Sequence, residues 1–255
     1  MKPGRSMLFL AATLVFGTVI NSAQSQQARS STIKLGDKVI VIPNPEGFEE
    51  ASSQFEKIRL FLTAMQPPHS DTLLLHMPVS DCDRLRTGSN PEWHHYTKVS
   101  VQKSMREVRS SNADMAGLVA EWRKNGAVLF DPDGPLLTSM MERVSRRSSE
   151  ATSKQITYNV NDTQDLGEFD FRPNVYSRMI FMMYTKDING TKSMYAGIGS
   201  MTLLKIGPRI ISVAVYRNFS SPAVVKTELK PAVIEVKQFT TKWVNEIFAA
   251  NPEKQ

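Results

Sequence analysis

The stretch "LLHMPVSDCDRLRTGSNPEWHHY", residues 74 to 96, holds the chain's only cysteine, Cys82, and three of its four histidines, His76, His94 and His95; His69 lies just upstream. Imidazole nitrogens and a thiolate are donors that zinc takes four at a time in a tetrahedron. His76 and Cys82 with His94 or His95, and His69 in reserve, would supply enough of them. The same thiol beside a histidine could instead serve as a nucleophile if its pKa were lowered. Two features oppose these readings. The spacing matches no paired zinc motif, and if His94 and His95 open a strand they point to opposite faces, leaving one usable ligand. Asp81 and Asp83 flank the thiol, and neighbouring carboxylates disfavour a further negative charge.

A plainer reading covers most of the same letters. Ser80 followed three residues later by Asp83 is close to a helix-capping pair, "DCDRLRT" suits a short helix, and Gly88 stands where it would end. Acids at a helix start are favoured by the dipole by about 0.3 to 1 kcal/mol. His76 then belongs to a preceding strand, "DTLLLHMPV", and "HHY" leads into the next, "YTKVSVQK". The histidines and Cys82 can meet only if those strands are neighbours.

Other stretches offer less chemistry. "GIGSM" (197–201) lacks the second glycine of a serine-hydrolase elbow and falls in a strand-like region. "DPDG" (131–134) begins like a calcium loop but lacks its later acids, so it reads as a turn. Met179, Met182, Met183, Met194 and Met201 offer soft donors for Cu(I), yet methionines in such apolar runs serve mainly as core filler. Arg143, Arg146, Arg147 and Lys154 form a basic, Ser-rich helix end, read as exposed, which could meet a phosphate-bearing lipid or glycan.

These residues need a scaffold, and the hydrophobic periodicity supplies one. "KVIVIP" (38–43) reads as a strand, and Phe48, Ala51, Phe55, Ile58, Leu62 and Met65 recur at helical spacing until Pro67 and Pro68. A helix capped by Asn112 and closing at Asn125-Gly126 follows the second central strand, and another begins at Pro135. Four strand-like runs then succeed one another, "KQITYNVN", "VYSRMIFMMYT", "KSMYAGIGSMTLLKI" and "RIISVAVYRN". Asn189-Gly190 suits a two-residue hairpin turn, and the runs form an antiparallel meander. A last helix over 232–250 carries Val233, Val236, Phe239 or Thr240, Trp243, Ile247 and Phe248 on a face that must be buried. The expected class is α+β, an antiparallel sheet with a C-terminal meander flanked by amphipathic helices.

The first 25 residues read as a signal peptide: Lys2 and Arg5 precede an apolar run from Met7 to Ile20, followed by small and polar residues. The run is short of the roughly 20 residues a spanning helix needs, so no transmembrane span is expected after cleavage. Residues 26–35 are expected as a flexible leader, 36–251 as one α+β domain and 252–255 as a tail. Losing Lys2 and Arg5 and no acid lowers the formal charge from +6 to +4. Export and the lack of any nucleic-acid-binding motif disfavour nucleic acid as a partner. With one cysteine no internal disulfide forms, and stability must come from packing.

"VIPNPEGFEE", a central strand followed by a helix, then a late meander and a closing helix together resemble the PsbP and Mog1 superfamily, in which an antiparallel sheet is flanked by helices. The tail "ISVAVYRNF" followed by "FTTKWVNEIFAAN" is also similar to the ends of uncharacterised exported bacterial proteins. The resemblance implies a non-enzymatic helper or binding module and carries over no functional residue. The sequence therefore leads to an exported, periplasmic or extracellular binding or assembly module of the cell envelope, whose partner is an envelope protein, a lipid or a glycan. No cofactor is expected. The alternative is a metal-dependent enzyme, with zinc the candidate metal, or a thiol enzyme, using His76, Cys82, His94 and His95.

Overall fold

The computed structural model describes residues 30–129 and 131–252. The expected signal peptide, the first four leader residues and residues 253–255 of the tail lie outside the described residues. In chain order the elements are β1 (Ser30–Leu35), β2 (Lys38–Pro43), β3 (Phe48–Glu50), α1 (Glu56–Met65), β4 (Ser70–Pro78) and α2 (Val79–Arg86). Then come β5 (His95–Gln102), α3 (Asn112–Leu129), α4 (Pro135–Thr152), β6 (Ile156–Asp170), β7 (Val175–Ile188), β8 (Thr191–Ile206), β9 (Arg209–Asn218) and α5 (Val225–Ala250).

Seven strands form an antiparallel sheet in the order β3-β4-β5-β9-β8-β7-β6, and β1 pairs with β2 in a separate ribbon. The expected meander is β6 to β9, with two-residue turns at Asn189-Gly190 and Gly207-Pro208. Both residues of the first turn have positive φ, 52° and 87°, as its sequence demands. The α+β class and the helix-flanked antiparallel sheet are as expected.

Alternation along the strands divides the sheet into two faces. One is covered by α5 and the β1–β2 ribbon: Leu74, Val99, Val213, Val215, Ile198, Leu204 and Met179 pack there with Ile33, Leu35, Ile40 and Ile42 of the ribbon and Val236, Trp243 and Ile247 of α5. The other is the helical face. There α1 and α2 cover β4 through Ile58, Leu62, Cys82, Leu75 and Met77, and α3 sets Met115 against Tyr176, Leu203 and Ile210.

Several expectations are corrected. Residues 30–35 are not leader but β1, because Ile33 and Leu35 alternate with polar residues and bury their side chains in the main core. The first helix starts at Glu56, since Phe48–Glu50 add an edge strand to β4 before it. Asn125 and Gly126 do not end α3, which runs to Leu129, and its start is fixed by a capping box of Ser111 with Asp114. Pro231 lies inside α5, which begins at Val225, and Thr240 rather than Phe239 is its buried mid-helix residue.

The Ser-rich run expected to trail off α4 is instead its body. Ser149 accepts from the amide of Ile156, and Ser145 from that of Tyr158, both at 2.8 Å. Serines one turn apart thus occupy outward-facing amides of the edge strand β6, which would otherwise invite pairing by another chain. Arg147 of the same helix donates to the carbonyls of Thr63 and Gln66 at the end of α1.

The last helix is tied to the first ribbon. Asn251 accepts from the Val41 amide at 2.9 Å and donates to the Val41 carbonyl at 2.6 Å, acting as one more strand residue beside β2. The Trp243 indole donates to the Pro43 carbonyl at 2.8 Å, which satisfies its only polar group in the core.

Candidate functional site

β4 and β5 are neighbours, yet the histidines and the cysteine do not converge. His76 points to the α5 face, where its ring meets the Trp243 indole edge-on at 5.5 Å and its Nδ1 is 3.1 Å from the Thr97 hydroxyl. Burial, partly opposed by Glu50, lowers its pKa to about 4, so the imidazole is neutral. Cys82 lies on the helical side, packed with Leu75 and Met77, which alternate with His76 on β4. Burial first, then Glu49, pushes its thiol up to about 12, the opposite of what a nucleophile requires.

His94 is exposed beside Glu92, and His95 lies near Glu235 of α5, both at 3.5 Å. The sheet thus stands between Cys82 and His76. Among the described residues no three His, Cys, Asp or Glu side chains are grouped to hold a metal ion. The acids beside Cys82 also depart from their expected role: Asp81 accepts from the amides of Glu92 and Trp93, anchoring the loop into β5, and Asp83 pairs with Arg86.

Aromatic side chains on the helical face do converge. Phe61 of α1 leans on Trp93 at 4.8 Å, Trp93 meets Tyr96 edge-on at 5.5 Å, and Tyr96 stacks on Tyr216 of β9 at 4.6 Å. On β6 to β8 the row resumes: Tyr158 and Tyr184 are 6.2 Å apart, and Tyr184 stacks on Tyr195 at 5.4 Å. Strand pairing causes this, because Tyr96 is opposite Tyr216, and Tyr184 opposite Tyr195. Gly199 makes room for the Tyr216 ring, which a Cβ there would approach to 3.0 Å.

Five of the chain's six tyrosines belong to this row. Phe61 and Tyr195 are 37% and 39% exposed, and the rings between them are half-buried. Burial first, with Tyr158 and Tyr195 adding, raises the Tyr184 phenol to about 12. Burial and the nearby Tyr216 and Tyr184 likewise hold the Tyr96 phenol well above its usual range. These hydroxyls therefore remain neutral hydrogen-bonding groups. Two cations sit over rings of the row, Lys98 over Tyr216 at 5.9 Å and Lys186 over Tyr158 at 5.7 Å.

A concavity of about 750 Å³ runs along the outer side of α5, lined by Phe169, Lys237, Thr241, Lys242 and Asn245. It is shallow, with the Lys237 ammonium 5.7 Å from the centre of the Phe169 ring.

The five strand-like methionines separate by position. Met179 is buried, Met182, Met183 and Met201 are half-buried, and Met194 is 49% exposed. Ser200 of "GIGSM" is buried, its hydroxyl 2.7 Å from that of Thr240. "DPDG" is a turn in which the Gly134 amide donates to the Asp131 carbonyl.

No protein-family model matches the chain, and no curated protein matches it. Solved structures similar to it include a point mutant of the protein Mog1, at 9% identity over 87% of this chain and 94% of that one, with a TM-score of 0.37. The Ran-binding protein Mog1p of Saccharomyces cerevisiae is also similar, at 10% identity over 87% and 93%, with a TM-score of 0.34. Such similarity leaves function open.

Proposed function

We propose that the chain is an exported, non-enzymatic binding module of the cell envelope that holds a glycan on its aromatic row. The observation that supports this reading is the row itself: seven rings drawn from α1, the loop before β5 and five strands, open to solvent at Phe61 and Tyr195. Sugar rings present C–H faces that pack on aromatic surfaces and hydroxyls that bond to neutral phenols. The alternative, a metal or thiol enzyme, has less support, because its donors lie on two sides of the sheet. Among the described residues no helix is long and apolar enough to cross a membrane.

The test is co-sedimentation of the chain from residue 26 with insoluble cell-wall glycan, beside the Tyr184→Ala/Tyr195→Ala double variant. Retention of the parent, reduced at least about tenfold in the variant, supports the reading, since ring stacking of this kind is worth on the order of 1 kcal/mol per aromatic. Equal retention of both, or retention on lipid vesicles instead, overturns it. Recovery of the protein outside the cytoplasm with a new N-terminus near residue 26 tests export.

A further inference from the structure

Resting on that glycan-binding reading, we infer that the row selects acidic saccharides, with Lys98 and Lys186 meeting their carboxylates. The two lysines that lie over its rings carry this. Two acids on the same face of the sheet are already engaged: Asp165 binds Arg178, and Glu168 takes both Arg123 and the Tyr176 hydroxyl.

The two lysines, by contrast, lie over ring faces, and among the described residues neither has a carboxylate within 4 Å. An ammonium resting on a ring retains donors for a further partner. Lys98 lies over Tyr216, midway along the row and facing Ala214 on β9, while Lys186 is opposite Tyr158 on the edge strand β6, at the end of the row. A chain-like ligand that follows the rings from Tyr216 to Tyr158 thus meets positive charge at both ends of that stretch. A single anion would meet one lysine only.

Charge complementarity also separates this ligand from others the row could take. A neutral oligosaccharide would use the rings and leave the lysines idle. An anionic lipid surface would use the lysines and gain little from half-buried phenols.

The experiment is calorimetric titration of the chain from residue 26 with tetragalacturonate, with neutral cellotetraose and with anionic phospholipid vesicles, at low and at high salt. The variants are Lys98→Gln/Lys186→Gln and Tyr184→Ala/Tyr195→Ala, each checked for an unchanged melting temperature. Tighter binding of the acidic saccharide is expected, weakened by salt, with a loss of about three- to fivefold per lysine and no change for cellotetraose. Equal affinity for both saccharides, lost in the tyrosine variant, overturns the charge selection and leaves the glycan reading standing. Failure of both saccharides to bind overturns that reading as well. Vesicle binding that survives the tyrosine variant overturns the assignment of the lysines to a saccharide.

Discussion

Acidification from pH 7.5 to 4 destabilises this fold through one identifiable side chain, His76. Its ring is fully buried between β4 and Trp243, Nδ1 is shared with Thr97, and Nε2 has no hydrogen-bond partner among the described residues. A proton on Nε2 would place an uncompensated charge in the core, which is why burial holds the group near 4 rather than at its ordinary 6.5. In the unfolded chain the imidazole binds its proton as the pH falls through about 6.5. Between those two values the unfolded state takes up a proton that the folded state refuses, so stability rises with pH there. The contribution is fully present above 6.5 and is lost as the pH falls through 4. At about 1.4 kcal/mol per pH unit the loss is about 3 kcal/mol, a large share of the stability of a typical domain. Urea unfolding followed by tryptophan fluorescence, for the parent chain and His76→Gln at pH 7.5, 6.5, 5.5 and 4.5, isolates the effect. Groups remote from His76 contribute alike to both chains and cancel. The stability difference between them should move steadily against the parent below pH 6.5; a difference constant to within about 0.5 kcal/mol over the range refutes the reasoning.

Cys82, fully buried among Ala51, Ile58, Leu75 and Met77 with its thiol raised to about 12, should react with a disulfide reagent at least about a hundredfold more slowly in the native protein than in denaturant. A fast native reaction would show that this core opens. Asn251→Ala removes both bonds to Val41 and one to the Ile247 carbonyl; a loss of about 2 kcal/mol is expected, with amide exchange in 38–43 accelerated more than in β8. Thr240→Val strands the buried Ser200 hydroxyl and should cost about 1 to 2 kcal/mol, of which Ser200→Ala in the same chain restores a part.

The fold was legible where one element announces itself. Asn189-Gly190, the alternating runs of the meander and the Trp243 stripe needed no partner to be read, and each lies where the periodicity puts it. Elements whose identity depends on contact were not legible. "SSTIKL" is polar at four of six positions and becomes a strand only because "KVIVIP" turns back along it. Ser145 and Ser149 look like a solvated helix end until the edge of β6 is placed beside them.

The site follows the same rule. The His and Cys cluster is dense in sequence, but alternation along β4 puts His76 on one face and its neighbours Leu75 and Met77, with Cys82, on the other. The aromatic row is invisible in sequence for the converse reason. Its rings come from positions as far apart as 61 and 216, and only the register that sets Tyr96 against Tyr216 and Tyr184 against Tyr195 makes them one surface. The sole hint was a tyrosine in each of the four strand-like runs of the C-terminal half.

The clasp between Asn251 and Val41 bears on the order in which the molecule can be completed. The two residues are 210 positions apart, so the first ribbon of the chain has no seat until the last helix exists, and closing that span is intrinsically slow. A chain growing from its N-terminus carries residues 30–43 as an uncommitted segment until Asn251 has been made. A domain whose first ribbon waits on its last helix keeps its core open for as long as that helix is unmade.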